Sequence, residues 1–438
     1  MELSRFNILT KIHGEDGYLL VNLLHGQADR LDAAEGERLA RGEYENAADL
    51  AEKGYLIDPE EEKRRYRAAY LDFVESRATD EVQLFYVPTY ACNFSCSYCF
   101  QDEYAPPPAQ RGQDDVIDAF FSYVDDTFAA RRKYVTLFGG EPLLPSPGAR
   151  HIVERLVAET VKRGLDLAIV TNGYHVADYV EMLAKGRIRE VQITLDGSEK
   201  VHDERRYLKG GAATFNQIVA GVDACLAAGL PVNMRTVLDK DNVESFAALA
   251  HFAIDRGWTE HPLFKTQIGR NYELHHCQTE RGRLYSRLSL YQDLHRLITA
   301  DREILRFHKP AFSVARFLFD NGSLPDPLFD SCPACKTEWA FDYTGRIYPC
   351  TANVGKEGEA VGTFHPKRTL DQTLVEPWEE RDVLAIDQCR SCSSQLACGG
   401  GCGAVSKNRD GSIHAPDCRP IGDLLSLGAS LYGAQDPG

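Results

Sequence analysis

Three closely spaced cysteines, Cys92, Cys96 and Cys99, have the type and spacing of metal ligands. They form a C-x3-C-x2-C pattern directly after an apolar run at 82–87, which predicts a strand. A cubane iron-sulfur cluster has one iron more than three thiolates can bind, so that iron would be open to a small molecule. A zinc knuckle, which needs a further nitrogen or sulfur ligand, and a fortuitous cysteine-rich turn are the alternatives.

This spacing resembles the signature of radical S-adenosylmethionine (SAM) enzymes. The resemblance implies that SAM binds the open iron of a 4Fe-4S cluster held by the three cysteines. It also implies the chemistry: the reduced cluster passes an electron to SAM, the sulfonium C–S bond breaks, and a 5'-deoxyadenosyl radical removes a hydrogen atom from the substrate.

Alternating strand and helix patterns must position these cysteines. The predicted strands are 82–87, 134–138, 166–171, 190–195, 231–238 and 263–268, and the predicted helices between them include 114–130, 149–162, 216–228 and 243–256. Such alternation predicts an α/β fold with a parallel sheet. The units are too few to close an eight-stranded barrel, so we expect an open, partial (β/α)6 barrel with its chemistry at the C-terminal strand ends.

A glycine motif, Gly139-Gly140-Glu141-Pro142, follows the second predicted strand. It resembles the GGEP motif of radical SAM enzymes, whose residues hydrogen-bond the amino group of the SAM methionine. Glycine suits the position because a missing Cβ lets the backbone approach a ligand closely. An ordinary turn is the structural alternative.

Further polar residues follow the third and fourth predicted strands. Asn172, Thr194 and Asp196 stand at places where the resembling family lines its SAM site. The stretch 202–206 looks like the segment whose arginine pairs with the SAM carboxylate. Spacing from the histidine favours Arg206 over its neighbour for this role.

The C-terminal third carries a second group of cysteines with the spacing C-x9-G-x4-C followed by C-x2-C-x5-C-x3-C. This pattern resembles the SPASM domain, which holds auxiliary clusters in many peptide-modifying radical SAM enzymes. The family topology implies one auxiliary 4Fe-4S cluster on Cys332, Cys335, Cys350 and Cys402 and a second on Cys389, Cys392, Cys398 and Cys418. With all irons ligated, such clusters suit electron transfer. A zinc ribbon is the alternative.

Other candidate residues rest on weaker signals. Cys225 lies in an apolar helix pattern and is interpreted as a core residue. Cys277 stands in a polar segment, where a surface loop is the simpler interpretation. The sequence identifies no catalytic acid or base, because Tyr272, His275 and Lys265 are candidates by position alone.

The first 80 residues precede the barrel. Runs at 6–12 and 18–24 predict strands, 33–41 and 45–53 predict short helices, and 54–58 predicts a third strand, before a solvated linker helix. This order suggests a winged-helix-like domain, similar to peptide-recognition elements that bind a leader peptide at a sheet edge. A domain that merely docks on the barrel is the alternative.

Composition limits the possible functions. The chain has 438 residues, 13 cysteines and a formal net charge of -16, which argues against a nucleic-acid surface. No apolar run approaches the roughly 18 residues of a membrane span, and no signal peptide is evident. We expect a cytoplasmic protein with a recognition domain at 1–80, a radical SAM barrel at 81–308 and a SPASM domain at 309–438.

The resemblance implies a maturase that crosslinks a ribosomally made peptide through a thioether or carbon–carbon bond. Its expected partners are a precursor peptide with a leader segment and an electron donor such as flavodoxin or ferredoxin. Peptide epimerisation is an alternative, and so is an anaerobic sulfatase maturase, in which an aspartate base follows the cysteine that corresponds to Cys350. Here Thr351 stands in that place. A non-catalytic iron-sulfur carrier is a further alternative.

Overall fold

The structure, a computed structural model, describes residues 1–45, 47–99, 113–270 and 282–433. Tyr272, His275 and Cys277 lie outside these residues. The strands are β1 (Glu2–Leu3), β2 (Asn7–Lys11), β3 (Tyr18–Asn22), β4 (Gln27–Leu31), β5 (Leu56–Ile57), β6 (Val82–Val87), β7 (Lys133–Leu137), β8 (Leu167–Thr171), β9 (Ile188–Thr194), β10 (Val232–Leu238), β11 (Phe264–Arg270), β12 (Glu338–Asp342), β13 (Arg346–Tyr348), β14 (Gly362–Thr363) and β15 (Thr369–Leu370).

The α-helices of the described residues are α1 (Ala33–Ala40), α2 (Ala47–Glu52), α3 (Pro59–Thr79), α4 (Asp114–Thr127), α5 (Pro147–Lys162), α6 (Val180–Leu183), α7 (Glu199–Arg205), α8 (Phe215–Ala227), α9 (Phe246–Asp255), α10 (Arg287–Ala300), α11 (Ile304–Phe307), α12 (Ala315–Asn321), α13 (Gln372–Glu379), α14 (Asp387–Arg390), α15 (Gln395–Cys398), α16 (Gly403–Asp410) and α17 (Ile421–Gly433).

One ten-stranded sheet positions the site. Its strands β6 to β11 lie side by side in chain order, and each pairs in parallel with the next. Helices connect them, because parallel neighbours need a crossover. The predicted α/β fold with a partial (β/α)6 barrel is confirmed, and the C-terminal ends of its strands meet at one edge.

The cysteine-rich C-terminal region continues this sheet. Strand β12 pairs in parallel with β6, from Glu338 opposite Gln83 to Asp342 opposite Val87. Strands β13, β14 and β15 then extend the sheet in antiparallel order. The C-terminal cysteines are therefore anchored directly to the first barrel strand.

The main core lies between the outer face of the sheet and the helices. Leu84, Val135 and Ile193 are fully buried there, together with Phe120 and Phe121 of α4. Full burial of side chains this large contributes about 1.5–3 kcal/mol each. This apolar layer fixes the strand ends on which the site is built.

The N-terminal residues form small antiparallel sheets, β2-β3-β4 and β1-β5. The strand Gln27–Leu31 was not predicted, because it is polar and lacks alternation of apolar residues. Helix α3 begins after Asp58, whose side chain accepts from the backbone of Glu60, and it is largely exposed as predicted. The ring of Tyr66 in α3 packs against that of Phe329, with 5.2 Å between the ring centroids. Helix α3 therefore docks on the C-terminal region. The winged-helix assignment stays a prediction.

A membrane-spanning helix would have to be both long and apolar, and none of the helices described above is both.

Candidate functional site

The cysteine loop follows β6 and is held by the glycine motif on one side. The backbone N–H of Gly140 donates to the Thr89 carbonyl at 3.0 Å, and that of Glu141 donates to the Ala91 carbonyl at 2.8 Å. Gly139 has φ +135°, and a Cβ on Gly140 would lie 2.2 Å from the Ala91 oxygen. Glycine is therefore required here by the close approach of two backbones.

The segment after α7 holds the other side of the loop. The N–H of Ser95 donates to the Tyr207 carbonyl at 2.9 Å, and the N–H of Ser97 donates to the Arg205 carbonyl at 2.9 Å. The loop with Cys92, Cys96 and Cys99 thus lies between the two motifs that the sequence singled out.

Glu141 ties strand ends together. It is 1% exposed, and its carboxylate accepts from the backbone N–H groups of Leu143 and Asn172 and from the Thr171 hydroxyl, each at 2.7 Å. Burial raises its pKa to about 6, although these hydrogen bonds oppose the shift. Both carboxylate oxygens of Glu141 therefore bind groups of the protein itself.

Asn172 joins the third strand end to the cysteine loop. Its side-chain amide donates to the Asn93 side chain at 2.8 Å and lies 3.9 Å from the Cys92 sulfur. Burial raises the pKa of Cys92 to about 12, and the nearby Glu141 and cysteines add to the shift. The Cys92 thiol should therefore stay protonated at neutral pH until a metal binds its sulfur and displaces the proton into solvent.

Asp196 and Arg206 meet at Tyr98, which sequence reasoning missed. The Tyr98 hydroxyl donates to Asp196 at 2.6 Å and accepts from the Arg206 guanidinium at 2.7 Å. Asp196 is fully buried and also accepts from the backbone N–H of Val237. The available signal was an aromatic residue placed between Cys96 and Cys99.

The structure separates the two adjacent arginines. Arg205 donates twice to Asp239, at 2.8 and 2.9 Å, and lies 3.6 Å from Asp196. Arg206 is 7% exposed, and among the described residues it forms no ion pair. Burial lowers its pKa, but Cys96, Tyr98 and Asp196 outweigh this and raise it above its ordinary value. A buried, unpaired guanidinium at this strand end fits a carboxylate ligand.

His202 orients this segment. Its Nδ1 accepts from the Asp196 backbone N–H at 3.1 Å, so its Nε2 carries the proton and donates to Thr214 at 3.1 Å. Burial and then the neighbouring Arg206 lower its pKa well below the ordinary value. His202 is therefore a neutral structural residue.

The two remaining barrel candidates differ in position. Thr194 is buried at the end of β9, opposite Arg235. Lys265 lies at the start of β11 rather than near its end, and its exposed ammonium pairs with Glu190 at 2.6 Å. The expectation that Lys265 lies near the end of the last barrel strand is wrong. Cys225 is fully buried, as predicted.

The structure brings the first predicted auxiliary set together. Burial raises the pKa of Cys350 strongly, and Glu338, Cys332 and Cys402 raise it further. Burial and then Glu379 raise the pKa of Cys335, and Cys332 contributes again. Cys332 is therefore the shared neighbour of the other three thiols.

The cysteines of the second predicted set also interact electrostatically with one another. The pKa of Cys389 is raised to about 11, chiefly by burial. The neighbouring Cys398, Cys392 and Cys418 raise it further. Cys392 and Cys418 are exposed, whereas Cys389 and Cys398 are buried. This site therefore lies near the surface.

Arg381 holds both auxiliary sites together and was not found from the sequence. Its side chain is fully buried and donates to the carbonyls of Gly400, Gly401, Ile413 and Ala415 at 2.8, 3.0, 2.5 and 3.3 Å. The Gly400 and Gly401 carbonyls directly precede Cys402, and those of Ile413 and Ala415 lie in the segment that leads to Cys418. A single arginine in a sequence carries no spacing signal that would mark this role.

The donor arrangement tests which metal fits. Among the residues described, no three His, Cys, Asp or Glu side chains converge as ligands of a single ion. Zinc requires about 2.3 Å from every sulfur to one ion, whereas each thiolate of a cluster binds a different iron. The described side chains therefore show no converged single-ion site, and thiolates are also the ligands that an iron-sulfur cluster requires.

Comparison with protein families matches residues 86–253 to the Radical SAM superfamily. This range includes the cysteine loop, the glycine motif and Arg206. The chain therefore contains a radical SAM domain. Among curated proteins it is 30% identical to GTP 3',8-cyclase of Campylobacter fetus subsp. fetus (strain 82-40) over 174 residues, 39% of this chain and 51% of the relative. The chain thus spans about half the length of this relative.

Two solved structures share the fold over most of the chain. One is anSMEcpe with bound AdoMet, with a TM-score of 0.60 and 15% identity, covering 81% of this chain and 97% of that one. A second is Streptococcus suis SuiB bound to precursor peptide SuiA, with a TM-score of 0.57 and 17% identity, covering 95% of this chain and 98% of that one.

Proposed function

We propose that this protein is a radical SAM maturase that forms an oxidative crosslink in a ribosomally made peptide. The observation that carries the radical SAM part is the cysteine loop clamped between the glycine motif and the segment of Arg206. When bound, SAM and a reduced 4Fe-4S cluster would supply the radical chemistry that removes one hydrogen atom from the peptide. A cluster on an auxiliary cysteine set would supply the acceptor for the second electron, and the accompanying proton would pass to solvent.

The residues of this chain bind and orient these groups. Cys92, Cys96 and Cys99 hold the first cluster, and the backbone at Gly139, Gly140 and Pro142 faces the SAM amino group. Arg206 binds the SAM carboxylate, because within the described part of the chain its buried guanidinium has only the Tyr98 hydroxyl as a hydrogen-bond partner. Asn172, Thr194 and Asp196 complete the SAM site.

The auxiliary sites are proposed to carry electrons. Each set supplies enough thiolates to ligate every iron, which leaves no iron for a substrate. The exposed position of Cys392 and Cys418 suits exchange with an electron donor such as flavodoxin or ferredoxin.

A peptide substrate is supported by the shared fold. The similarity to SuiB with precursor peptide SuiA extends over 95% of this chain, whereas anSMEcpe with AdoMet and the Cp18Cys peptide covers 81%. The wider similarity is consistent with a leader-binding role for the N-terminal region. Among the described residues β4 is an edge strand of its sheet, and a peptide strand could pair with this edge.

Leader truncation tests the peptide proposal. The short peptide encoded nearest the gene is compared with a version that lacks its N-terminal half, and 5'-deoxyadenosine and peptide mass are followed. We expect both peptides to be modified, but the truncated peptide should need about tenfold higher concentration to reach the same rate. This difference equals a loss of about 1.4 kcal/mol in binding free energy. Equal concentration dependence would remove the leader-binding role, and absence of any modified peptide would contradict the proposed substrate.

A further inference from the structure

Arg235 lies on the inner face of the barrel. Val232, Met234 and Leu238 of the same strand are buried in the core beneath the helices. Because side chains alternate along a strand, Arg235 faces the opposite side, which is the concave interior. It pairs in register with Thr194 on one side and Gln267 on the other.

The charges around Arg235 are already paired. Lower on the same face, Glu190 binds Lys265 at 2.6 Å. At the strand ends above, Asp196 binds Tyr98 and lies close to Arg205. Among the described residues, the half-buried guanidinium of Arg235 forms neither a hydrogen bond nor an ion pair. An unpaired charge in such a position lowers stability unless a ligand satisfies it.

The neighbouring strand leaves room for this guanidinium. A Cβ at Gly269 would lie 2.8 Å from its Nη2 and 3.2 Å from its Cζ. Any larger residue would push the Arg235 side chain toward the interior. Its neighbours Thr194 and Gln267 offer polar groups and no negative charge.

Two unpaired arginines therefore face this site, Arg206 and Arg235, and SAM has a single carboxylate. We propose that Arg235 binds a carboxylate of the substrate peptide and so selects where the peptide is attacked. This inference rests on the proposed function. The carboxylate belongs either to an Asp or Glu side chain or to the peptide C-terminus.

The first test does not depend on a substrate. Arg235→Gln is compared with Arg205→Gln by thermal unfolding of the reconstituted holoenzyme. We expect Arg235→Gln to unfold at or above the wild-type temperature, because it removes a charge that no described residue pairs. Arg205→Gln should unfold earlier, because it removes both guanidinium hydrogen bonds to the buried carboxylate of Asp239. Equal destabilisation of both variants would show a structural role and overturn the proposal.

The second test uses the short peptide encoded nearest the gene, versions with each Asp or Glu changed to its amide, and the C-terminal amide. In the wild type, one of these changes should raise KM about tenfold with little change in kcat. In Arg235→Gln, KM should already be raised and the same change should add nothing. Arg235→Lys should restore part of the affinity, and Gly269→Ala should raise KM because it displaces the guanidinium.

The outcomes separate the two proposals. If no peptide is modified by the wild type, the proposed function fails, and the unfolding comparison still tests Arg235. If peptides are modified but every carboxyl change acts equally in wild type and Arg235→Gln, the carboxylate role is overturned. Weaker SAM affinity in Arg235→Gln, to the extent seen in Arg206→Gln, would assign Arg235 to SAM and equally overturn it.

Discussion

Replacing Arg381 by methionine should release iron from both auxiliary sites. The guanidinium is fully buried and donates to four carbonyls, three of them within 3.0 Å. Two of these carbonyls, on Gly400 and Gly401, directly precede Cys402. Methionine keeps much of the volume but leaves the carbonyls without donors.

The size of the effect follows from these contacts. Breaking one partner of a buried charged network costs about 3–5 kcal/mol. Asp330 is not left unpaired, because Arg77 donates to it at 2.9 Å and Lys336 lies within 2.5 Å. The lost free energy of unfolding should therefore stay near the lower end of this range, at about 3 kcal/mol. For a cooperatively unfolding unit of about 150–250 residues, this loss corresponds to a fall in Tm of about 6–12 °C.

Iron content and thermal unfolding measure this effect. Arg381→Met should keep about four of about twelve irons per chain, since the loop at Cys92 is remote from Arg381 in the fold. Arg368→Met is the matched control, because Arg368 is 42% exposed and pairs with Asp126 at the surface. Full iron content in Arg381→Met, with a Tm equal to that of the control, would refute the reasoning.

Three further predictions concern the barrel site. Replacing Cys92, Cys96 and Cys99 together by alanine should leave about eight of about twelve irons per chain and abolish SAM cleavage, and an unchanged iron content would contradict the ligand assignment. Because burial raises the folded pKa of Glu141 from 4.5 to about 6, its contribution to stability should be fully present below pH 4.5 and lost as pH rises through about 6, by about 2 kcal/mol in total. Denaturant unfolding measured across the interval between these two pKa values should show this slope in the wild type and not in Glu141→Gln, and parallel curves would count against it. Arg206→Gln should weaken SAM binding about tenfold or more with little change in Tm, whereas Arg205→Gln should mainly lower Tm. A larger loss of SAM affinity in Arg205→Gln, with a larger fall in Tm in Arg206→Gln, would contradict these roles.

The sequence was sufficient to predict the barrel, and its cysteine spacing was sufficient to propose a ligand set for each cluster. Apolar strands such as Val82–Val87 and amphipathic helices such as Asp114–Thr127 carry strong periodicity, and the fixed spacing of cysteine ligands is a local property of the chain. Strand Gln27–Leu31 escaped because its place in the sheet depends on pairing with β3 rather than on its own composition.

Residues whose roles depend on long-range contacts could not be predicted in the same way. Tyr98 becomes part of the site only when Asp196 and Arg206 reach it from other strand ends. Arg381 acts on carbonyls about 20 or more positions away along the chain. Glu141 illustrates the converse, because its motif was recognised while its carboxylate proved to be engaged by the protein itself.

The most direct test of the central claim is mass spectrometry of an anaerobic reaction with SAM, dithionite and the short peptide encoded nearest the gene. The proposed function predicts 5'-deoxyadenosine together with a peptide that is lighter by the mass of about two hydrogens, with the new bond located by fragmentation. Formation of 5'-deoxyadenosine with a peptide that keeps its mass and contains no D-amino acid would contradict oxidative crosslinking of that peptide.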